Sequence, residues 1–412
     1  MSFSSQLGFK QRLILKKYIK FSKKLRKKLI YNSPFLYPCT WYDNFSKSFL
    51  KNFYGKKNIT ILILKYTKEV LLIISILNYR LYSPNQLSRK YKKFCLTWIK
   101  KEDISNGKLI NDRYLNVNKK ENNLFLCLNL DKDFKNTKKS NLLVFTKSPF
   151  INFNTIANFF LLINFIFLEL VKGKLIYSLN VYSFFAFLLF EKSKKILKKT
   201  NFDEVLMSYE GQPFQNLFIK NFKKQKIKTI GIIKSFQPFP IHLYKNANSP
   251  DKVYFADNLI KNHMVKNLEW KEKDFDKKFK YKLNNLKGKI VLPFSISNYD
   301  KIYNLIKNIY DKKLVKNFDK LTVKIHPNTP ESLKQIELSE KIGELFKNKK
   351  YKNQPRILLA IGSTSVIIEN IILGNKVIQI YEDEISECIS HKFWPDVKVK
   401  KLFNNVIIYS KK

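Results

Sequence analysis

The sequence predicts an α/β protein built from two doubly wound units. A chain of 412 residues is too long for one compact core and suggests about two domains of ordinary size. Its 45% hydrophobic and 15% aromatic content is ample for a core and excludes global disorder. From about residue 58 onward, short apolar runs alternate with helical, lysine-rich stretches. This alternation is typical of parallel strands that are buried on both faces and separated by helices.

The apolar runs also predict how the chain is divided. The candidate strands are Ile59–Leu64, Leu124–Leu130, Leu142–Phe145, Glu204–Ser208, Ile227–Ile233, Lys252–Phe255, Lys289–Pro293, Leu321–Ile325, Ile357–Ile361 and Lys376–Ile380. We expect an N-terminal lobe over residues 58–268 and a C-terminal lobe over 288–412. The charged, proline-free stretch 269–287 is expected to connect them, and residues 1–57 form a basic N-terminal region.

The charge balance points to anionic partners. The chain has 78 Lys and Arg against 32 Asp and Glu, a net charge of +46, which attracts nucleic acid, anionic lipid or phosphorylated substrates. The alternative is compositional drift: the chain is rich in Lys, Asn, Ile and Phe, as an AT-rich coding sequence would make it, and most lysines would then only decorate the surface. No helix-turn-helix, zinc-finger or RNP-type signature is present, and no nucleic acid partner is expected.

Neither cysteines nor acidic clusters indicate a metal or a cofactor. The four cysteines are far apart, so no disulfide framework or zinc site is expected, and a reducing cytoplasmic setting fits. Asp131-Lys132-Asp133 has the spacing of a metal-binding DxD motif, but it lies in a solvated charge run. Glu382-Asp383-Glu384 is interpreted as a surface loop. A metal-independent protein without a cofactor is therefore expected.

Two segments bear on membrane contact. The N-terminus is charged throughout, so no signal peptide is expected. The apolar stretch Phe159–Leu168 is shorter than the ~20 residues of a membrane span and is interrupted by Asn164, so it is predicted to be a buried helix.

Residues 9–30 form a predicted basic amphipathic helix. Its apolar stripe is Ile14, Tyr18, Phe21, Leu25 and Leu29, and basic residues flank the stripe throughout. Such a helix can lie on an anionic membrane surface; the alternative is that the stripe packs on the body of the protein.

The first of three motifs is FDEVLMSYEGQPF. An apolar strand ends at Tyr209, Glu210 and Gly211 turn the chain, and Pro213 suits the first position of a helix. A carboxylate held at a strand end on a rigid frame is placed as a general base should be. The alternative is a carboxylate that caps the helix or the turn.

The second motif is LTVKIHPNTPE. His326 ends a strand and Pro327 fixes the turn that follows. A histidine at this position can donate to a phosphate and titrates near neutrality. A His-Pro pair in isolation is more often a coincidence than a site.

The third motif is the small-residue turn Gly362-Ser363-Thr364-Ser365 between a buried strand and a helix. Such a turn presents backbone N–H groups and hydroxyls to an anion. An ordinary strand–helix turn with hydroxyl caps explains it equally well in isolation.

The order and spacing of these motifs resemble those of the bacterial sialyltransferase group of GT-B enzymes. That group shares an acidic–acidic–Gly motif, an HP motif and an S-S/T motif. The matching residues are Tyr209-Glu210-Gly211, His326-Pro327 and Ser363-Thr364. Tyr209 departs from the acidic residue of the first motif. The run SYEGQPFQNLF…IKTIGIIKSFQPFP…SPDKVYFADN also resembles a broader family of bacterial surface-carbohydrate biosynthesis, whose members commonly have Gln-His where this chain has Lys234.

The resemblance implies a GT-B fold of two Rossmann-like lobes and an inverting, metal-independent sugar transfer. The donor would be a nucleotide-sugar, CMP-linked sialic acid, another nonulosonic acid or Kdo, with UDP- and CDP-linked donors as alternatives. The acceptor would be a glycan or lipid-linked glycan of the cell surface, and the enzyme would work in the cytoplasm, peripherally on the inner face of the membrane. The main rival is a non-catalytic GT-B-like scaffold in polysaccharide assembly.

The residue roles implied are a base in the N-terminal lobe and a phosphate site in the C-terminal lobe. Glu210 would be the base, and Gly211 would shape its turn. The phosphate site would comprise His326, Pro327, Gly362, Ser363, Thr364 and Ser365. Ser295 and Ser297 would line the donor pocket. Glu369 would reach the ribose or, alternatively, cap the helix and pair on the surface.

Overall fold

The structure is an α/β protein with two mostly parallel sheets, as the sequence predicts. The computed structural model describes residues 34–35, 67, 69–84, 87–105, 108–109, 112, 114–115, 117, 121–129, 141–148, 153–173, 178–233, 243–279, 283–293, 296, 298–325, 333–346, 355–362, 364, 366–381 and 394–412. The predicted strand Ile59–Leu64 and the amphipathic stripe of residues 9–30 lie outside these residues.

The elements in chain order are as follows. The strands are β1 Tyr79–Tyr82, β2 Lys90–Ile99, β3 Ile104–Ser105, β4 Lys108–Leu109, β5 Asn123–Asn129, β6 Leu142–Lys147, β7 Asn201–Ser208, β8 Lys228–Ile233, β9 Lys252–Phe255, β10 Phe275–Lys278, β11 Lys289–Val291, β12 Thr322–Lys324, β13 Ile357–Ile361, β14 Lys376–Ile380, β15 Val397–Phe403 and β16 Val406–Lys411. The helices are α1 Phe153–Val171, α2 Val181–Lys199, α3 Pro213–Lys224, α4 Asn258–Asn267, α5 Tyr299–Asp311, α6 Leu333–Leu345 and α7 Val366–Ile372. Residues 69–75 are also helical.

The first sheet has the strand order β1-β6-β5-β2-β7-β8-β9-β10. All of its pairings are parallel except that of β1 with β6. From the central β2 the chain moves outward through β5 to β6, then returns to β7 on the other side of β2 and moves outward to β10. The order therefore reverses between β2 and β7, where open α/β sheets bind ligands outside the carboxyl ends of their strands.

The second sheet has the order β12-β11-β13-β14-β16-β15. Its first four strands are parallel, and β16 and β15 add an antiparallel pair at one edge. Here the order reverses between β11 and β13. Each sheet thus has one reversal point at its carboxyl edge.

Both faces of the first sheet are buried. Phe94 and Val205 belong to the cluster that includes the apolar faces of α2 and α3, whereas Cys95, Leu206 and Ile230 belong to a separate cluster on the opposite face. Burial on both faces explains why these strands appear in the sequence as continuous apolar runs.

The two sheets are joined by direct contacts. The ring of His263 in α4 stacks on Trp394 with their centroids 4.0 Å apart. Beside it, Asn262 Nδ2 donates to Asp396 Oδ2 at 2.8 Å. One hydrophobic cluster includes α4, α7 and the C-terminal strands, so the cores of the two units are continuous on this side.

The structure corrects the prediction for residues 269–287. They were expected to be only a connector, but residues 275–278 form β10, the parallel edge strand of the first sheet. Phe275 packs edge-on against Phe255, with ring centroids 5.4 Å apart. Because an edge strand needs few apolar residues, its charged sequence concealed it.

The prediction of a buried helix at Phe159–Leu168 is wrong. The helix is α1, and its buried residues are only Asn158, Leu162, Phe165 and Glu169. Phe153, Phe160 and Phe167 on the opposite face are 82%, 65% and 61% exposed. A helix that is apolar all round gives no periodicity from which its buried face can be predicted. Within the described part of the chain, α1 alone is long and apolar enough to cross a membrane, by length and composition only.

Candidate active site

Glu210 lies at the reversal point of the first sheet. It follows β7, which ends at Ser208 and lies between β2 and β8. The side chain therefore leaves the sheet beside the carboxyl end of β2, at the place where this topology binds ligands. The sequence predicted a strand ending here, and the structure confirms that strand.

Tyr209 anchors the residue before the carboxylate. It is buried, its backbone N–H donates to Ile232 O at 2.8 Å, and its hydroxyl lies 3.4 Å from both Asn216 Oδ1 and Ser249 Oγ. Burial raises the pKa of Tyr209, so the phenol stays neutral. Tyr209 is thus a packing residue that holds the backbone next to Glu210.

Gly231 in β8 makes this packing possible. A Cβ at this position would lie 2.8 Å from Tyr209 Cβ and 2.8 Å from Pro250 Cγ. Real Cβ atoms do not approach other heavy atoms so closely, so only glycine leaves room for Tyr209. The position of Glu210 therefore depends on a residue in the neighbouring strand.

The turn after Glu210 is held by one side chain. Gln215 Oε1 accepts from the backbone N–H groups of Glu210 at 2.8 Å and of Gln212 at 3.1 Å, and Gln215 Nε2 donates to Ser208 O. Gly211 adopts a φ of +66°, which glycine reaches without strain. This bonding fixes the backbone on both sides of the carboxylate.

The helix α3 begins as the sequence predicts. Pro213 is its first residue, and Gln212 occupies the N-cap position. Glu210 therefore does not cap the helix, but its carboxylate accepts from Gln212 within the turn, as the alternative of a turn carboxylate predicts. Gln215 was not singled out in the sequence, although its place three residues after the N-cap is the spacing of a capping box.

The Glu210 carboxylate is half-buried and has a polar neighbour. Gln212 Nε2 donates to Glu210 Oε2 at 2.8 Å. Burial raises the pKa of Glu210, and the bond from Gln212 opposes this rise in part. A carboxylate with a raised pKa is a stronger base than an ordinary surface glutamate.

The third motif lies at the reversal point of the second sheet. Gly362 follows β13 with a φ of +72°, its N–H donates to Ile380 O at 2.7 Å, and its carbonyl accepts from Gln379 Nε2 at 2.9 Å. Thr364 O accepts from Ile367 N at 3.3 Å as α7 begins. Ser363 and Ser365 lie outside the described residues.

Glu369 in α7 is a buried acceptor. Its Oε2 accepts from the backbone N–H and from the Nδ2 of Asn284, each at 3.0 Å. Burial raises the pKa of Glu369, while the two bonds from Asn284 lower it in part. The alternative of surface pairing is wrong, because the side chain lies in the interior and ties residues 283–286 to α7.

Several predicted site residues lie outside the described part of the chain. They are Ser295, Ser297, His326 and Pro327. The strands that precede them, β11 and β12, are present and end at the carboxyl edge of their sheet. The donor-side assignments therefore stay predictions.

A metal site is not formed among the described residues, where no three His, Cys, Asp or Glu side chains come together. The acidic triplets at 131–133 and 382–384 lie outside those residues.

A scan against protein-family models gives no match to this chain, and a search of curated proteins gives none. The resemblance therefore depends on the three motifs and on the strand ends that carry them.

Proposed function

We propose that this protein is an inverting, metal-independent glycosyltransferase of the GT-B type that uses a nucleotide-sugar donor. The observation that carries the proposal is the Glu210 carboxylate. It is half-buried, has a raised pKa and accepts from Gln212, and the backbone that carries it is held by Gln215 at the reversal point of the first sheet. A desolvated carboxylate in such a position is a functional-site candidate on physical grounds.

In the proposed reaction, Glu210 removes the proton from an acceptor hydroxyl while the oxygen of that hydroxyl attacks the anomeric carbon of the donor sugar. The bond from that carbon to the nucleotide phosphate breaks, and the phosphate leaves with the bonding electrons. The proton remains on the carboxylate until solvent removes it. The sugar passes through an oxocarbenium-like transition state, as in other glycosyl chemistry.

The leaving phosphate gains negative charge and requires hydrogen-bond donors on the side of the sugar opposite Glu210. His326, Ser363, Thr364 and the backbone N–H groups after Gly362 would supply them at the carboxyl edge of the second sheet. Stabilisation of charge as it develops lowers the barrier more than uniform binding does. Ser295, Ser297, Ser365 and Pro327 would shape the same pocket.

The donor is proposed to be CMP-linked, because the motif order resembles that of sialyltransferases. UDP- and CDP-linked sugars remain alternatives, since phosphate sites at strand ends serve them equally. The proposed acceptor is a surface glycan or its lipid-linked precursor, met on the cytoplasmic face of the membrane.

A thermal-shift panel of CMP, CDP, UDP, GDP and ADP tests the proposal without knowledge of the acceptor. A nucleotide present at 100 times its dissociation constant should stabilise the protein by roughly 2.7 kcal/mol. Stabilisation by one pyrimidine nucleotide over the purines would support the proposal and identify the donor class. No stabilisation by any of the five at millimolar concentration would contradict it.

A non-catalytic scaffold is the second candidate, and the burial of Tyr209 favours it. The first acidic residue of the sialyltransferase motif is replaced here by a side chain packed against Trp270, with ring centroids 6.4 Å apart. A scaffold would bind nucleotide or glycan but would not release nucleotide from any donor sugar.

A further inference from the structure

The face of α1 that points away from the protein is mainly apolar, and Asn154 and Asn164 are the exposed polar residues of the helix. Exposed large side chains recur along it at intervals of three and four residues: Phe153, Ile156, Phe160, Ile163, Phe167 and Leu170. The ionisable side chain in α1 is Glu169, which is buried. Monomeric soluble proteins rarely expose a contiguous apolar surface of this extent unless it contacts another molecule or a membrane.

The other face of α1 is fixed to the body of the protein. Asn158 Nδ2 donates to the carbonyls of Leu77 at 2.6 Å and of Tyr79 at 2.8 Å. Further along, the Phe165 ring packs on the Phe187 ring with their centroids 5.2 Å apart. These contacts fix the rotation of the helix, so the exposed face is not free to turn inward. They also argue against α1 crossing a bilayer alone.

A second apolar patch lies beside the first turn of α1. Val70, Leu71, Leu72 and Ile74 are exposed in the helical segment 69–75. This segment is followed by residues 77–79, which hold α1, and Thr155 Oγ1 donates to Asn78 Oδ1 at 2.8 Å. The segment that carries this second patch is thus bonded to the first turn of α1.

The helices that carry and support this surface are basic, which suits an anionic partner. The helices α1 to α3 and Lys172, which follows α1, contain nine lysines and two glutamates. A cavity of about 280 Å³ at the C-terminal half of α1 is lined by Leu168, by Phe165 and Glu169 of the packed face, and by Lys172, Lys220 and Lys224. Its two carboxylates are paired, Glu169 with Lys172 at 2.9 Å and Glu191 with Lys194 at 3.2 Å.

The width of the apolar face distinguishes lipid from a second helix. Phe159, Leu168 and Val171 are also exposed, on either side of the main stripe. A coiled-coil seam is narrower than this and is flanked by charged residues, which α1 lacks. An interfacial helix has a broad apolar face with cations beside it.

We infer that α1 lies in the surface of an anionic lipid bilayer. Its exposed phenylalanines enter the acyl boundary, and the lysines of the neighbouring cavity contact the headgroups. The inference depends on the geometry and charge of α1 to α3, and it stands whether or not the protein is a transferase.

Vesicle flotation of the full-length protein tests the inference, with phosphatidylcholine vesicles and with vesicles that also contain phosphatidylglycerol. The wild-type protein should float with both and more strongly with the anionic ones. Phe160→Glu together with Phe167→Glu should weaken binding by at least on the order of 100-fold, because two buried rings are lost from the acyl boundary. The matched control is Leu314→Glu together with Leu333→Glu, which changes two exposed leucines elsewhere and should float as the wild type does.

The headgroup contact is tested separately. Lys220→Gln with Lys224→Gln should reduce binding to the anionic vesicles roughly fivefold for each lysine and leave binding to phosphatidylcholine unchanged.

Charge reversal at Lys16, Lys20, Lys23 and Lys27 tests the basic N-terminal region in the same assay. If that reversal abolishes flotation while the Phe160 and Phe167 variant floats normally, the membrane contact belongs to the N-terminus and the inference fails.

A fluorescence measurement covers the case in which the glutamate variant does not fold. Phe160→Cys, in a protein with Cys39→Ser and Cys388→Ser, can be labelled selectively because Cys95 and Cys127 are buried. An environment-sensitive dye at this position should shift to the blue when anionic vesicles are added. The absence of a blue shift would overturn the inference. It would also be overturned if the wild-type protein were a dimer that dissociates on mutation of α1 and never binds vesicles.

Discussion

At the scale of single residues, the candidate site depends on neighbours of the carboxylate more than on the carboxylate itself. Gln215 fixes the backbone N–H of Glu210, and Gln212 donates to its side chain. Gly231 in the next strand leaves the space in which Tyr209 packs. A glutamate held in this way loses little freedom when a substrate binds, which is what positioning for catalysis requires.

The raised pKa of Glu210 predicts how stability and activity change with pH. Because the pKa of Glu210 is higher in the folded than in the unfolded protein, the folded state binds the proton more tightly. Its contribution to the free energy of unfolding therefore falls as pH rises from the ordinary glutamate value through the folded pKa. Glu210→Gln should be more thermostable than wild type above this window and no more stable below it. Thermal unfolding followed over pH checks this, and a difference that does not change with pH would contradict it.

The same shift predicts the acid limb of the activity profile. The base must be ionised to act, so kcat/KM should fall as the solution is acidified. The midpoint of this fall should lie at a pH above the ordinary pKa of a glutamate. Asp203→Asn, at an exposed carboxylate of the same strand, is the matched control and should leave that limb in place.

Gly231→Ala tests whether packing in β8 positions Glu210. The added methyl would lie 2.8 Å from Tyr209 Cβ, so Tyr209 must move and carry Glu210 with it. Overpacking of this kind should lower the free energy of unfolding by about 1–3 kcal/mol. Turnover should fall further than the loss of folded protein explains. Denaturant unfolding and turnover per folded molecule measure the two effects, and an unchanged turnover would separate Glu210 from this packing.

Glu369 is predicted to stabilise the fold rather than to recognise the nucleotide. Glu369→Ala removes the acceptor of two donors of Asn284 and should lower the free energy of unfolding by about 1–3 kcal/mol. Glu369→Gln keeps one acceptor oxygen and should lose less. A large loss of nucleotide affinity in the glutamine variant, measured by titration calorimetry, would instead support contact with the ribose.

At the scale of elements, the sequence was most informative where a strand is continuously apolar. The predicted bounds of Lys252–Phe255, Ile357–Ile361 and Lys376–Ile380 are those of β9, β13 and β14. The central strand β2 was missed, because its residues 90–93 read KYKK and its apolar half is short. β15 was missed for the same reason, since lysines alternate along it.

The candidate site was predicted only in part for a physical reason. A strand end followed by Glu-Gly-x-Pro is a local signal, and it located Glu210 correctly relative to β7. The packing of Tyr209 against Gly231 and the reversal of strand order between β2 and β7 are relations between distant segments. They cannot be predicted from one sequence, because it does not show which strands are neighbours in the sheet. The rotation of α1 is likewise set by Asn158, whose partners lie about eighty residues away along the chain.

The loops that follow β12 and β13 are predicted to bind the donor phosphate. His326→Ala, and Ser363→Ala with Thr364→Ala, should weaken nucleotide binding as well as turnover, because these groups contact the phosphate already in the ground state. Titration calorimetry with CMP and UDP measures the affinity of each variant. Unchanged affinity in both variants would place the nucleotide elsewhere on the protein.

At the scale of the whole molecule, two sheets with one reversal point each are joined through α4 and the C-terminal strands. Lys411 Nζ lies 3.4 Å from Asp257 Oδ1 at this junction, beside the stacked His263 and Trp394. In the proposed enzyme, the base belongs to one sheet and the phosphate site to the other. Each half alone would then be inactive. Exclusion of water from the reaction site would require the two halves to close on the substrates.

Nucleotide release from a panel of CMP-, CDP- and UDP-linked sugars, by the wild type and by Glu210→Gln, tests the central claim most directly. The wild-type protein should release nucleotide from at least one donor, with an acceptor glycan or slowly with water. Glu210→Gln should lower that rate on the order of 10²–10⁴-fold, with nucleotide affinity unchanged within a few-fold. Equal rates in the two proteins, or no release by a wild-type protein that is folded and saturated with donor, would contradict the account.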